Sequence, residues 1–290
     1  MYTKILVGID FSEPSVAALR WTMDRFPDAK ITLFHAVEPE VAPNYLRQAL
    51  GGDLDLASEM ALDAEANLRQ VADEAGMSGR LLVGQGWASE VLNEAASSEG
   101  ADLIVIGARR PRHFPWIDAG DTAVRIVDRA SVPVLLWRPA QQARDKTVLA
   151  AIDLRPGSAP IAATGARFAR HFGTRLLLVH ALPNRIHAYL KAVNSPAKAA
   201  QAERAIEQAA RAEALDRVPE DLRKGLAIQT IILTGRPITA WLLSTAETEA
   251  ADLIVAGRSH APGFKGRSPL GGITARLMRE AASSVLVVPV

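Results

Sequence analysis

The chain has 290 residues and no cysteine, with 33 Lys and Arg against 32 Asp and Glu, a net charge of +1, and 49% apolar against 22% charged residues. That balance is globular rather than disordered and provides no global attraction to nucleic acid or to an anionic membrane. The missing cysteines exclude disulfides, thiol catalysis and thiolate metal sites, and no apolar run reaches about 18 residues, the length of a membrane span. Met1–Leu6 runs straight into a strand with no secretory apolar region, so a cytoplasmic protein is expected.

Ile5–Ile9 is a short, continuous, β-branched apolar run, as expected for a parallel strand buried on both faces. In the following segment Ser12 is a good helix N-cap and Pro14 suits the first turn. Val16, Leu19, Met23 and Phe26 then recur at helical spacing. A second strand, Ile31–His35, precedes an alanine-rich helix over Ala57–Ala75. Arg80–Val83 forms a third strand and leads to a helix around Glu90–Ser97. The fourth strand, Leu103–Ile106, opens a basic loop, then a helix near Thr122–Asp128 and a last strand at Val134–Trp137.

The whole series is then written again. Asp102-Leu-Ile-Val-Ile-Gly107 returns 150 positions later as Asp252-Leu-Ile-Val-Ala-Gly257. Ile5–Asp10 matches Val148–Asp153 at an offset of 143, and Ile31–Ala36 matches Leu176–Ala181 at 145. Helical spacing recurs at Ile161, Gly165, Phe168 and Phe172, and the second alanine-rich helix is expected over Ala197–Leu215. A period of this size is a domain, not a solenoid repeat, and the drift in offset marks loop insertions. The boundary is expected in the polar stretch Pro139–Lys146, giving domains at 1–140 and 146–290.

Alternating strands and helices imply in each copy a parallel sheet with helices on both faces and right-handed crossovers. Ligands in such sheets bind beyond the carboxyl ends of the strands, where the strand order reverses. Asp10, Gly107, Asp153 and Gly257 all stand at such ends. The pattern does not supply the strand order.

Several segments together carry a resemblance. They are the first-strand aspartate followed by Ser12-Glu13, the Ala-Asp-Leu-Ile-Val-x-Gly strand in both copies, and the closing run Ala130-Ser-Val-Pro-Val-Leu135. The short turns Gly84-Gln-Gly-Trp-Ala-Ser-Glu90 and Gly235-Arg-Pro-Ile238 join them. Over its whole length the chain resembles the universal stress protein family, as a tandem pair. The resemblance implies five-stranded parallel sheets of order 3-2-1-4-5, the adenine-nucleotide alpha-hydrolase-like arrangement. It also implies an internal pseudo-dimer, with Val132–Trp137 against Ser284–Val288 and a further homodimer left open. Nucleotide-binding members hold the phosphates of ATP with Gly-x-x-Gly, nine residues, then Gly-[Ser/Thr]. Glycines let backbone N–H groups approach phosphate, and the helix N-terminus adds favourable potential.

Both copies depart from that motif. In the first, Arg110 replaces the second glycine, and Gly120 keeps its spacing but is followed by Asp121, whose carboxylate repels a triphosphate unless a metal bridges them. Arg109, Arg110 and Arg112 retain an attraction for anions. In the second, His260 takes the second glycine position and one residue is inserted. That loop holds Gly257, Gly263, Gly266, Gly271 and Gly272, and also Arg258, Lys265 and Arg267, with no acid before Thr274. The expected binding residues are therefore Asp153, Ala181, Gly257, Gly271, Gly272, Ile273 and Thr274, ahead of Asp10, Gly107 and Gly120 in the first copy. ATP, with magnesium, is the expected ligand and the second domain the favoured site.

Asp10 and Asp153 either contact a nucleoside, as the matching family residue does, or simply hold the turn after a strand. His35 and His180 read better as satisfied core histidines than as metal ligands, because no carboxylate stands at ligand spacing. His113 and Trp116 lie in the first loop; Trp137 reads as core. No phosphate-cradling Gly-x-x-x-x-Gly-Lys-[Ser/Thr] or Gly-x-Ser-x-Gly nucleophile turn is present. The expectation is a non-catalytic stress-response protein with no catalytic or metal residues, and a slow ATPase as a weaker reading. The alternative is a nucleotide-independent protein that uses the same scaffold for an unknown protein partner or a small apolar ligand.

Overall fold

The computed structural model describes residues 1–38, 56–108, 121–139, 147–182, 192, 195–233, 237–258 and 270–290. These divide into two compact units, one holding Tyr2 to Arg138 and the other Pro139 to Val290.

In the first unit β1 (Lys4–Gly8) is the middle strand, and its Ile5, Leu6 and Val7 are fully buried. It pairs in parallel with β2 (Lys30–Val37) on one side and β4 (Leu103–Gly107) on the other. With β3 (Arg80–Gln85) and β5 (Val134–Trp137) the order is β3-β2-β1-β4-β5, so it reverses between β1 and β4. In that register Gly8 stands opposite Ile106. Asp102 clasps the start of β1: its carboxylate accepts the Thr3 N–H at 2.8 Å, the Thr3 hydroxyl at 3.0 Å and the Lys4 N–H at 3.0 Å. The first residue of the echoed hexapeptide thus has a structural role.

Helix α1 (Glu13–Arg25) carries Pro14 in its first turn and buries Ser15, Ala18, Leu19 and Thr22. The face expected from Val16 and Met23 is turned: both are half-buried, and small residues bring the helix close to the sheet. Ser12 occupies the N-cap position without capping. Helix α2 (Leu56–Ala75) buries Ala64, Leu68 and Ala72 at four-residue spacing. It ends at Gly76, φ 67, with the Met77 N–H reaching back to the Ala72 carbonyl at 2.9 Å. That left-handed stop suits glycine. Helix α3 (Ala88–Ser98) is tied to α4 (Asp121–Arg129) by the Asn93 amide, which donates to the Ile126 carbonyl at 3.1 Å, and by the Arg129–Glu90 pair at 2.7 Å.

The second unit repeats the plan. Strands β6 (Thr147–Ile152), β7 (Arg175–Ala181), β8 (Ile228–Leu233), β9 (Leu253–Arg258) and β10 (Ser284–Pro289) are parallel in the order β8-β7-β6-β9-β10. Helix α5 (Ala159–His171) follows a 3-10 turn at Pro156–Ser158. It lies so close to β6 that a Cβ on Gly165 would stand 3.0 Å from that of Ala150. Then come α6 (Pro196–Asp216), the short α7 (Glu220–Arg223), α8 (Ile238–Thr248) and α9 (Gly272–Glu280). The units differ most after their second long helix: Gly76–Gly79 suffices before β3, whereas Arg217–Ala227, with α7 inside it, precedes β8. No described helix is long and apolar enough to cross a membrane.

Candidate ligand site at the carboxyl ends of the strands

Each sheet reverses order beside its first strand, and the residue that leaves that strand is an aspartate. In the first unit Asp10 Oδ1 accepts the Ser12 N–H at 3.0 Å and the Ser12 hydroxyl at 2.5 Å. The Ser15 hydroxyl donates to the Ser12 carbonyl at 2.9 Å and meets the Asp10 N–H at 3.4 Å. Burial pushes the Asp10 carboxyl upward. The hydrogen bonds from the Ser12 and Ser15 side chains and from the Ser12 and Asp10 amides outweigh it and hold the group below its ordinary 3.8. In the second unit Asp153 Oδ1 accepts the Arg155 N–H at 3.0 Å, with the Arg155 guanidinium 3.7 Å from its other oxygen. Both aspartates therefore hold a turn with one oxygen, and both remain exposed.

The residue after each aspartate is left-handed: Phe11 and Leu154 both have φ 60. Neither is glycine, so each stores about 1–2 kcal/mol of backbone strain. Nothing in either side chain announces this conformation, and the sequence reading missed it. Neighbours enforce it differently. Phe11 stacks on the His35 ring at a centroid distance of 4.4 Å. The Leu154 carbonyl accepts Arg217 from the end of α6 at 2.6 Å, while Glu213 holds the same nitrogen at 2.7 Å.

His35 and His180 close the turn from behind. Each Nδ1 lies within hydrogen-bond reach of the carbonyl preceding the aspartate, Ile9 at 2.7 Å and Ile152 at 2.9 Å. A carbonyl only accepts, so Nδ1 carries the proton in both rings. The pair are satisfied histidines that brace the turn. Among the described residues no cluster of three or more His, Asp or Glu side chains could hold a metal ion.

The two strand-end glycines differ. A Cβ on Gly107 would stand 2.3 Å from the Pro14 carbonyl oxygen and 2.5 Å from the Ser15 nitrogen, so the backbone of α1 demands glycine there. On Gly257 it would meet the Ile161 side-chain tip at 2.5 Å and Val290 Cγ2 at 3.1 Å, which are movable atoms.

Beyond Gly257 the expected second-copy residues gather at the same end. Ala181 ends β7, and Gly271 is the N-cap of α9. The first intrahelical bond is made by the Ala275 N–H to the Gly271 carbonyl at 3.1 Å. No described side chain caps the N–H groups of Gly272, Ile273 and Thr274 ahead of it. A Cβ on Gly271 or Gly272 would meet no described atom within 4 Å, and neither has a left-handed φ. Nothing among the described residues requires these glycines. Buried Thr274 donates its hydroxyl to the Gly257 carbonyl at 2.8 Å, tying helix to strand, so its backbone N–H is what it offers a ligand. In the first unit Asp121 is the first residue of α4. Arg109, Arg110, Arg112, His113, Trp116 and Gly120 lie outside the described residues, as do His260, Gly263, Lys265, Gly266 and Arg267.

Comparison with known proteins agrees with this doubled architecture. The model of the universal stress protein family matches residues 1–138 and again 145–289. A universal stress protein of Mycolicibacterium smegmatis is 27% identical over 298 residues, covering 98% of this chain and 96% of the relative. One of Thermus aquaticus is 35% identical over 145 residues, 48% of this chain but 100% of the relative, which is the size of a single copy. The crystal structure of a universal stress protein from Archaeoglobus fulgidus shares the fold with a TM-score of 0.65 at 19% identity, over 99% of this chain and 98% of that one. The chain belongs to the universal stress protein family, with the domain present twice in tandem.

Proposed function

We propose that this protein is a non-catalytic, cytoplasmic stress-response factor that binds an adenine nucleotide, with magnesium when the ligand is ATP, in its second domain. The observation that carries the reading is the start of α9, where Gly271 and Gly272 crowd no described atom and no described side chain caps the first N–H groups. Bare N–H groups at a helix N-terminus favour a phosphate. Gly257 and the exposed Asp153 stand at the ends of the adjacent strands β9 and β6, where the order reverses and ligands of such sheets bind. The first domain fits less well, because Gly107 is packed against α1.

Calorimetric titration of the whole protein with ATP and magnesium tests this. One site per chain is expected, lost in Gly271→Val, whose thermal melt stays unchanged because the new side chain meets no described atom. Absence of both heat and thermal shift at millimolar ATP sinks the reading and leaves the nucleotide-independent alternative. Phosphate release above buffer by purified protein would overturn the non-catalytic part.

A further inference from the structure

The first domain holds a cavity of about 720 Å³ at the opposite end of its sheet, where the strands begin. Lys4, Lys30 and Arg80 are the first residues of β1, β2 and β3, and all three line it. Part of its lining is apolar: Met23 of α1 and Ile31 of β2 are half-buried and Pro27 is exposed, over a floor of buried Ile5, Leu6, Phe26 and Met77. Two unbranched thioethers let such a wall adapt to a flexible guest. The size is that of a small-molecule site, for which about 300–1,000 Å³ is usual.

Charge decides what the guest is. Glu99 is the sole acid among the described lining residues, and it is taken by Arg80 at 3.3 Å. Lys4 and Lys30 stand side by side in register, exposed, with no acidic partner among the described residues. A neutral guest would leave both ammonium groups as they are, and a cation would be repelled. An anion with an apolar body satisfies the lysines and the walls together.

The second domain supplies the contrast. There Arg175, opposite Thr147 as Lys30 is opposite Lys4, is already committed: it binds Glu249 at 2.7 Å and the Thr147 hydroxyl at 2.9 Å. Arg170 at the end of α5 donates to the carbonyl of Asp221 in α7 at 2.8 Å. The cation equivalent to Lys30 is therefore occupied in the second domain, and Thr147 stands in the place of Lys4.

We propose that the cavity at the amino ends of β1, β2 and β3 binds an amphipathic carboxylate of the medium-chain fatty-acid type, its head between Lys4 and Lys30 and its chain against Met23, Pro27 and Ile31. The site is independent of the nucleotide reading. Whole protein titrated calorimetrically with laurate below its micellar concentration should show one saturable site per chain. Lys4→Gln/Lys30→Gln should weaken it by about tenfold or more, whereas Arg204→Gln/Arg211→Gln, an equal charge change on the exposed face of α6, should leave it unchanged. Gly271→Val should also leave it unchanged, which separates failure here from failure of the nucleotide site. Dodecanol and dodecyltrimethylammonium are the matched neutral and cationic probes, and both should bind at least about tenfold more weakly. The proposal is overturned if laurate does not saturate, if two equal sites appear, if dodecanol binds as tightly, or if the lysine variant binds as the native protein does.

Discussion

Gly107 and Gly257 end the same echoed strand, so Gly107→Ala and Gly257→Ala form a matched pair. The new methyl in the first case meets the Pro14 carbonyl oxygen at 2.3 Å, its carbon at 2.4 Å and the Ser15 nitrogen at 2.5 Å. All three are backbone atoms of the first turn of α1, and ordinary contact requires that turn to retreat by roughly 1 Å. It is not free to do so, because Ser15, Ala18, Leu19 and Thr22 are buried along the same helix. The cost belongs at the top of the overpacking range, about 3 kcal/mol. In the second case the obstacle at 2.5 Å is Ile161 Cδ1, which moves by rotation of its own side chain at a cost of about 1 kcal/mol. Neither glycine is left-handed, so backbone strain does not enter. The difference, about 2 kcal/mol, corresponds to roughly 4–8 °C in the melting of a domain this size. Thermal melts of the two full-length variants, followed by circular dichroism, measure it. Equal losses would show that the helix backbone does not hold Gly107, and the structural reading of that glycine would be wrong.

Two further outcomes follow from the backbone and from titration. Ala250 has φ 49 in the turn after α8, where the first unit places Gly100 at φ 61; Ala250→Gly should raise the stability of the second domain by about 0.5–1 kcal/mol, seen as a higher urea midpoint. An unchanged or lower midpoint would count against strain at that turn. Asp10→Ala removes the acceptor of the Ser12 bonds and should cost about 1 kcal/mol at neutral pH. Because the folded carboxyl lies below 3.8, its contribution is complete above that pH and fades as pH falls through the lower folded value. The gap between native and variant protein should therefore stay constant from neutrality to about pH 5 and narrow below 3.8; a gap that widens in acid contradicts the sign.

Periodicity located the elements well because burial on both faces leaves a dense signal. Val134–Trp137 is a strand over the expected residues, and the helix expected over Ala57–Ala75 runs Leu56–Ala75. Strand order lay beyond the pattern, since alternating elements fit several crossovers; the family resemblance supplied it and the pairing of β1 with both β2 and β4 shows it. Short or strained features were illegible. Helix α7 spans only Glu220–Arg223, too few residues for a period. The left-handed turn at Phe11 and Leu154 is imposed by neighbours as different as His35 and Arg217, so no residue type marks it. Ser12 has the composition of a cap, but its hydroxyl is turned to donate to the Asp10 carboxylate and does not accept from the first helical N–H groups. The carboxyl-end location of the candidate site was readable from Gly107 and Gly257; that one of them is locked by a helix and the other is not required coordinates.

The doubled strand also poses a folding problem. Strand β1 is secured on its far side only by β4, about 100 residues along the chain, and β9 offers it a nearly identical partner. Tandem domains that share such strands are prone to misassembly by exchange. The hexapeptides differ at one position, Ile106 against Ala256, and the neighbouring strand differs in compensation. Gly8 pairs with Ile106, and a Cβ added to Gly8 would stand 3.1 Å from the Ile106 methyl, whereas Ala151 and Ala256 come next after the paired Ala150 and Val255. Exchange would set Gly8 beside alanine, leaving a hole, and Ala151 beside isoleucine, overfilling the site. Each error costs on the order of 1–3 kcal/mol. A single side chain in each echo thus biases β1 towards β4 and β6 towards β9 before either domain is complete.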